Sequence, residues 1–311
     1  MIETMDAPSI LFAGPKLSAL EIQALVDRCG EGKQTGVIAM ETEGGKTLVL
    51  FMKRGECLSN DPWRDEIASL TSAQTRWIPL SAQGALMVKL LMQTTGGKSE
   101  AIAIPFDVNK VLERSKKAAP ISLVRFEWES ALGAVLFHGS DEKPYSLYLT
   151  AKQVEEQMGV TSPLVMSNSQ NCIVTAFAAN LSIAVWKEYL LRRAFADICE
   201  GVLSQFQALV GRALADSLIR LVLVFAARRH LQISFITRKV TDEEYFASPQ
   251  EAAEQYRSLL NEILAHCSGI TGSRLLSSAL HEIVNKLPEQ ECAIINEFSL
   301  LNKGYTYETS K

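Results

Sequence analysis

The sequence predicts an α+β protein: a β-hairpin-rich amino-terminal half with short helices, followed by an all-α carboxy-terminal domain. Three observations carry this. Short apolar runs around polar, glycine-containing turns recur through the first 150 residues, the pattern of β-hairpins. From about residue 188 apolar residues recur instead at three- and four-residue intervals, the helical period. Apolar residues make up 47% of the 311, enough to bury a sizeable core.

Taken in order, residues 17–27 form an amphipathic helix. Val37 to Met40 and Leu48 to Met52 then flank Gly44-Gly45 as a hairpin. Lys53-Arg54-Gly55 supplies a second reversal, with Gly55 free to take positive φ. A short helix is expected over 64–70 and a strand over 77–80, where Pro79 marks a sheet edge or a strand end. Residues 40–47 are echoed by 92–99, with apolar runs at 86–91 and 101–106. A third block joins 133–137 to 145–149. These read as three hairpins of similar design, by shared turn chemistry or by internal duplication.

Residues 107–117 suit a short helix, and the alternation over 121–128 suits a strand with one solvated face. Thr150 is placed as the N-cap of a helix over 150–158. A loop rich in Ser, Thr, Pro and Asn follows at 159–170, and 172–178 with 181–186 suggest a fourth hairpin. Helices are then expected over 188–210 and 212–229, interrupted at Gly211. Residues 230–237 read as a strand or extended connector. Further helices are expected over 250–267 (with Ser248 as cap and Pro249 at the first position), 271–287 and 290–301. A polar, frayed tail is expected from Asn302. The implied domains are 1–118, 119–187 and 188–311.

A net charge of −4 argues against a dedicated nucleic-acid binder. The six cysteines are scattered with no CxxC pair, which suits a reducing compartment better than a disulfide framework. The amino terminus lacks a signal peptide's basic start and apolar segment. The greasiest stretch, 218–227, falls short of the ~20 apolar residues a membrane span needs. A cytoplasmic protein without a membrane span is expected.

Residues 44–47 (GGKT) and 96–99 (GGKS) resemble the end of a phosphate-binding loop. Met40 and Met92, however, stand where that loop needs its first glycine, and apolar strand patterns follow instead of helices. His266-Cys267 are adjacent on a helix and point about 100° apart, so they do not share a metal; Asn285 stands where an HExxH motif beginning at His281 needs its second histidine. Arg192-Arg193 with residues 197–201 faintly resembles a cyclic-dinucleotide signature, but the order is compressed and the context helical. No catalytic, cofactor-binding or metal-binding residue is expected.

Residues 17–27, Thr35-Gly36, the paired strands and 55–58 together resemble the PATAN family, named for the amino-terminal domain of PatA response regulators. The match covers roughly residues 17–60. It departs at Met52, where the family has an aromatic residue, and at Asn60, where it prefers alanine. The resemblance implies a non-enzymatic prokaryotic signalling or adaptor protein, whose partner would be a response regulator or motility component. Lys53, Arg54 and Glu56 are the partner-binding candidates, while Thr35 and Gly36 are expected to hold the fold. Two other classes stay open: a sensor binding a small molecule between the hairpins, and an enzyme whose site only the fold assembles. A homodimer through the helical domain is a further expectation.

Overall fold

A computed structural model describes residues 8–58, 63–94, 96–102, 107–139, 144–166, 171–236, 239–246 and 248–301. The chain divides into two units, Met1–Ile183 and Ala184–Lys311. Antiparallel sheets dominate the first and helices the second, as the α+β expectation requires. The tail from Asn302 lies outside the described residues, as do 59–62, 103–106, 140–143 and 167–170.

The first unit opens with a 3-10 turn at Ser9–Phe12, then β1 (Lys16–Ser18) and α1 (Ala19–Glu31). Ser18 and Glu21 close a reciprocal capping box at the start of α1, satisfying two orphan amide donors. Next come β2 (Gly36–Thr42), β3 (Thr47–Lys53), β4 (Glu56–Cys57), α2 (Trp63–Ala68) and β5 (Ser72–Pro79). These strands form one antiparallel sheet in the order β1-β5-β2-β3-β4. Pro79 ends β5, which lies inside the sheet rather than at its edge. One face packs Ile38, Met40, Leu50 and Met52 against Ile22, Val26 and Cys29 of α1 and Ile67 of α2.

The second sheet of this unit collects β6 (Lys98–Ile102), β7 (Ser122–Glu127), β8 (Ala131–Phe137), β9 (Tyr145–Thr150), β10 (Val154–Met158) and β11 (Cys172–Ala178). Its order is β10-β9-β8-β7-β11-β6. Also in this unit are α3 (Ala82–Gln93), α4 (Val108–Ala118), whose Val108, Val111 and Leu112 pack on the second sheet, and α5 (Ser162–Met166). Strand β6 falls within residues 1–118 of the sequence-based division, yet it pairs with β11 of the 119–187 segment.

Four sequence-based expectations need correction. The apolar run 86–91 is helical, inside α3, so the second of the three hairpins does not form. α3 touches β2 of one sheet and β8 of the other and buries most of its surface, with Gln83 and Lys89 half-buried and Gln93 exposed; a run so largely apolar has little periodicity to separate it from a buried strand. Residues 154–158 form β10 instead of a helix. Thr150 closes a tight turn, its Oγ1 accepting from the Lys152 and Gln153 amides, and the strand returns along β9. β7 is buried on one face and half-buried on the other, at Arg125 and Glu127, where a solvated face was expected. The fourth hairpin is absent because Asn180 Oδ1 accepts from the amide and hydroxyl of Ser182, and the chain enters a helix at Ala184.

The second unit contains α6 (Ala184–Val210), α7 (Arg212–Arg228), β12 (Ile233–Ile236), β13 (Lys239–Asp242), α8 (Pro249–Thr271), α9 (Ser273–Val284) and α10 (Glu289–Glu297). It begins at Ala184, not residue 188, and it is not all-α, because β12 and β13 pair as an antiparallel hairpin. That hairpin is held by charge. Arg192 of α6 donates to the carbonyls of Asp242 (2.7 Å) and Glu244, with the Asp242 carboxylate 3.6 Å away, and Tyr256 of α8 donates to the same carboxylate. Glu200 accepts from the Val240 amide at 2.9 Å. Ser248 caps α8 by accepting from the Glu251 amide, with Pro249 in the first turn, as the sequence predicts.

Candidate functional site

The reversal between β3 and β4 is fixed by the end of α1. Arg54 sits at φ 47° and its amide donates to Thr35 Oγ1 (3.1 Å), while the Gly55 amide donates to the Gln34 carbonyl (2.8 Å). Thr35 thus holds the turn. Gly36 lies so close to β5 that a Cβ there would come 2.8 Å from the Trp77 ring. Both residues serve the fold, as read from the sequence.

Beside this reversal lies an open cleft of about 660 Å³ lined by Val26, Asp27, Gly30 and Glu31 of α1, Gly55, Glu56 and Cys57 of the turn and β4, and Trp63 and Arg64 of α2. Its polar character is acidic. Asp27, Glu31 and Glu56 are exposed, and Arg64 is the cation in the lining, its guanidinium 5.2 Å from the Trp63 ring. Val26, Cys57 and Trp63 supply apolar surface between the charges. Asp27 and Glu31 stand one turn apart at the carboxy-terminal end of α1, where the helix dipole opposes negative charge. Gln23 Nε2 donates to Asp27 Oδ1 at 2.9 Å, one turn back, which offsets that cost for Asp27. Beneath the cleft, burial pushes the Cys29 thiol above its ordinary value, so that side chain is a packed hydrophobe.

Of the residues singled out by sequence, Glu56 lines the cleft. Lys53 and Arg54 do not; Lys53 is half-buried at the end of β3 and Arg54 exposed in the turn. Asp27, Glu31, Trp63 and Arg64 were missed. The i,i+4 pair of carboxylates at the end of an otherwise amphipathic helix was the available signal for two of them. Nothing local marks Trp63 and Arg64, which the fold brings to the cleft from α2.

Both glycine-glycine-lysine segments lead into strands, β3 and β6, so neither presents a helix amino terminus to a phosphate. No protein-family model, curated protein or solved structure matches the chain. Among the described residues, no helix is long and apolar enough to cross a membrane.

Proposed function

We propose that the chain is a non-enzymatic, cytoplasmic signalling or adaptor protein that binds a partner protein at the cleft between α1, the β3–β4 turn and α2. The observation that carries this reading is the composition of the cleft: three exposed carboxylates around Val26, Cys57 and Trp63, beside an exposed, backbone-anchored reversal. That chemistry suits a segment presenting lysine or arginine next to an apolar side chain, which the carboxylates would orient and the Trp63 face would cover. The PATAN-like pattern over residues 17–60 agrees in kind, pointing to a response regulator or motility component as the partner.

The test is recovery of one defined partner by the full chain, compared between wild type, Asp27→Lys/Glu31→Lys/Glu56→Lys and Lys53→Glu/Arg54→Glu. Loss with the first variant supports the cleft. Loss with the second alone moves the interface to the outer face of the turn, and unchanged recovery with both removes the region from consideration. A second reading, a small-molecule sensor, draws on the cleft volume, which lies in the range of ligand sites. It expects a cationic amine to raise the melting temperature of wild type and not of the carboxylate variant.

A further inference from the structure

The second unit contains the same helix junction twice. Gly211 joins α6 to α7 and Gly272 joins α8 to α9, each as the sole residue between two helices. Gly211 has φ 85° and Gly272 φ 86°, the left-handed region that favours glycine. The amide of each donates to the carbonyl four residues back, Gln207 or Ser268, at 2.9 Å. The carbonyl of each accepts from the amide four residues on, Ala215 or Leu276. Around both glycines an aliphatic residue stands two before and another three after: Leu209 and Leu214, Ile270 and Leu275. All four are between 45% and 54% exposed.

The two junctions lie at the same end of the unit, as the helix register shows. Phe195 of α6 stacks on Tyr256 of α8 with ring centroids 4.4 Å apart, and each lies sixteen residues before its junction glycine. A Cβ on Gly201 would lie 2.8 Å from Ile283 of α9, so these two helices touch there. Gly201 precedes Gly211 by ten residues, and Ile283 follows Gly272 by eleven. Both contacts hold at once only if α6 and α8 run parallel and α9 returns beside α6. Gly211 and Gly272 then stand about 24 Å beyond the aromatic stack, at one level. The four exposed aliphatic side chains therefore crown one end of the helical unit.

Over residues 204–217 and 266–278, which form this end, the charged side chains are Arg212, Asp216 and Arg274, with His266 beside them. There is no lysine and no glutamate, two of the residue types depleted at interface cores. Docking on an anionic membrane would call for a cluster of four to eight basic residues. Arg212 and Asp216 carry opposite charges one turn apart on α7, their Nε and Oδ2 3.6 Å apart, with Arg212 81% exposed. A surface holding both signs on one exposed turn is complementary to itself across a two-fold axis, whereas a partner of single sign would meet a like charge.

We propose that this end of the helical unit is the interface of an isologous homodimer. Leu209, Leu214, Ile270 and Leu275 form its apolar centre, and Arg212 of each copy faces Asp216 of the other. This inference rests on the helical unit alone and stands or fails separately from the cleft.

Sedimentation equilibrium of the full chain tests it. Wild type is expected to be dimeric at micromolar concentration, and Leu209→Glu/Leu275→Glu monomeric with unchanged helical circular dichroism. Arg212→Asp and Asp216→Arg are each expected to weaken self-association at least about tenfold, since like charges then face each other. Mixing these two variants is expected to restore a heterodimer, because in the mixed pair every native or introduced charge faces its opposite. The intrahelical pair is broken in both variants, so it cannot account for the rescue. Monomeric wild type, a dimer indifferent to Leu209→Glu/Leu275→Glu, or a mixture no tighter than its components would overturn the proposal. So would a monomer that instead co-sediments with phosphatidylserine-containing vesicles.

Discussion

Gly55 rests against the backbone of Gly30. A Cβ on Gly55 would lie 2.7 Å from the Gly30 Cα and closer still to its carbonyl oxygen, and Gly55 sits at φ 86°. The reverse does not hold: a Cβ on Gly30 would meet Gly55 at 3.4 Å, an ordinary contact, inside a helix. The two alanine substitutions should therefore differ in sign. Gly55→Ala is expected to lose about 2–4 kcal/mol in urea unfolding, from left-handed strain and collision together. Gly30→Ala is expected to be neutral or to gain up to about 1 kcal/mol. Equal losses would mean that the α1–turn contact is not as described.

Gly84 and Glu156 form a second close approach, between the first turn of α3 and β10. The Glu156 carboxylate accepts from the Ser81 amide (2.7 Å), the Ser81 hydroxyl (3.0 Å) and the Tyr145 hydroxyl, and a methyl group on Gly84 would collide with it. Glu156→Ala is expected to cost about 2 kcal/mol, because it strips charge-assisted bonds from a helix start. Gly84→Ala is expected to cost a similar amount by displacing the same carboxylate. Together they should cost at least about 1 kcal/mol less than their sum, since neither harm is done twice. Strict additivity in thermal or urea melts would count against this geometry.

The particular successes and failures of the sequence reading share one physical cause. The β2–β3 hairpin was legible because Gly44-Gly45 and the flanking apolar runs are local signals, and α8 because Ser248-Pro249 is one. α3 was not, since its contacts with both sheets leave it only a narrow polar edge, at Gln83, Lys89 and Gln93. β10 was not, since its composition favours a helix and only its pairing with β9 makes it a strand. The cleft followed the same rule. Glu56 was found through its turn, while Trp63 and Arg64 reach the site through tertiary folding that no local pattern records.

Alkaline pH should weaken the helical unit through buried acids. Burial pushes the Cys267 thiol up to about 12 and raises the Tyr256 hydroxyl well above its ordinary value, the latter aided by Asp242. The unfolded chain releases a thiol proton near about pH 9, whereas the folded chain holds it to about 12. In that window the folded state binds more protons, so stability is complete below it and falls as pH rises. Cys267→Ala is expected to flatten unfolding free energy against pH between 9 and 11, by up to about 1.4 kcal/mol per unit. Below pH 8 it should leave only a constant packing loss. An unchanged slope would show that Cys267 titrates as an open thiol.

Arg192 should prove the main tie between the β12–β13 hairpin and α6. Its guanidinium is buried, which by itself lowers its proton affinity, but Asp242 and the neighbouring acids together outweigh that and raise it, and it is bonded to two carbonyls of the segment it holds. Arg192→Met leaves the Asp242 carboxylate, 4% exposed, without its cation and is expected to lose about 3–5 kcal/mol. Arg192→Met/Asp242→Asn should recover part of that loss, because the uncompensated charge is gone while the Tyr256 hydroxyl keeps an acceptor. The hairpin's contact with Glu200 is independent of Arg192, so exchange should separate the two anchors. In Arg192→Met, the amides of Gln232 and Glu244 are expected to exchange faster than that of Val240. Uniform acceleration would mean that the hairpin is released as one piece and that Glu200 does not hold it alone.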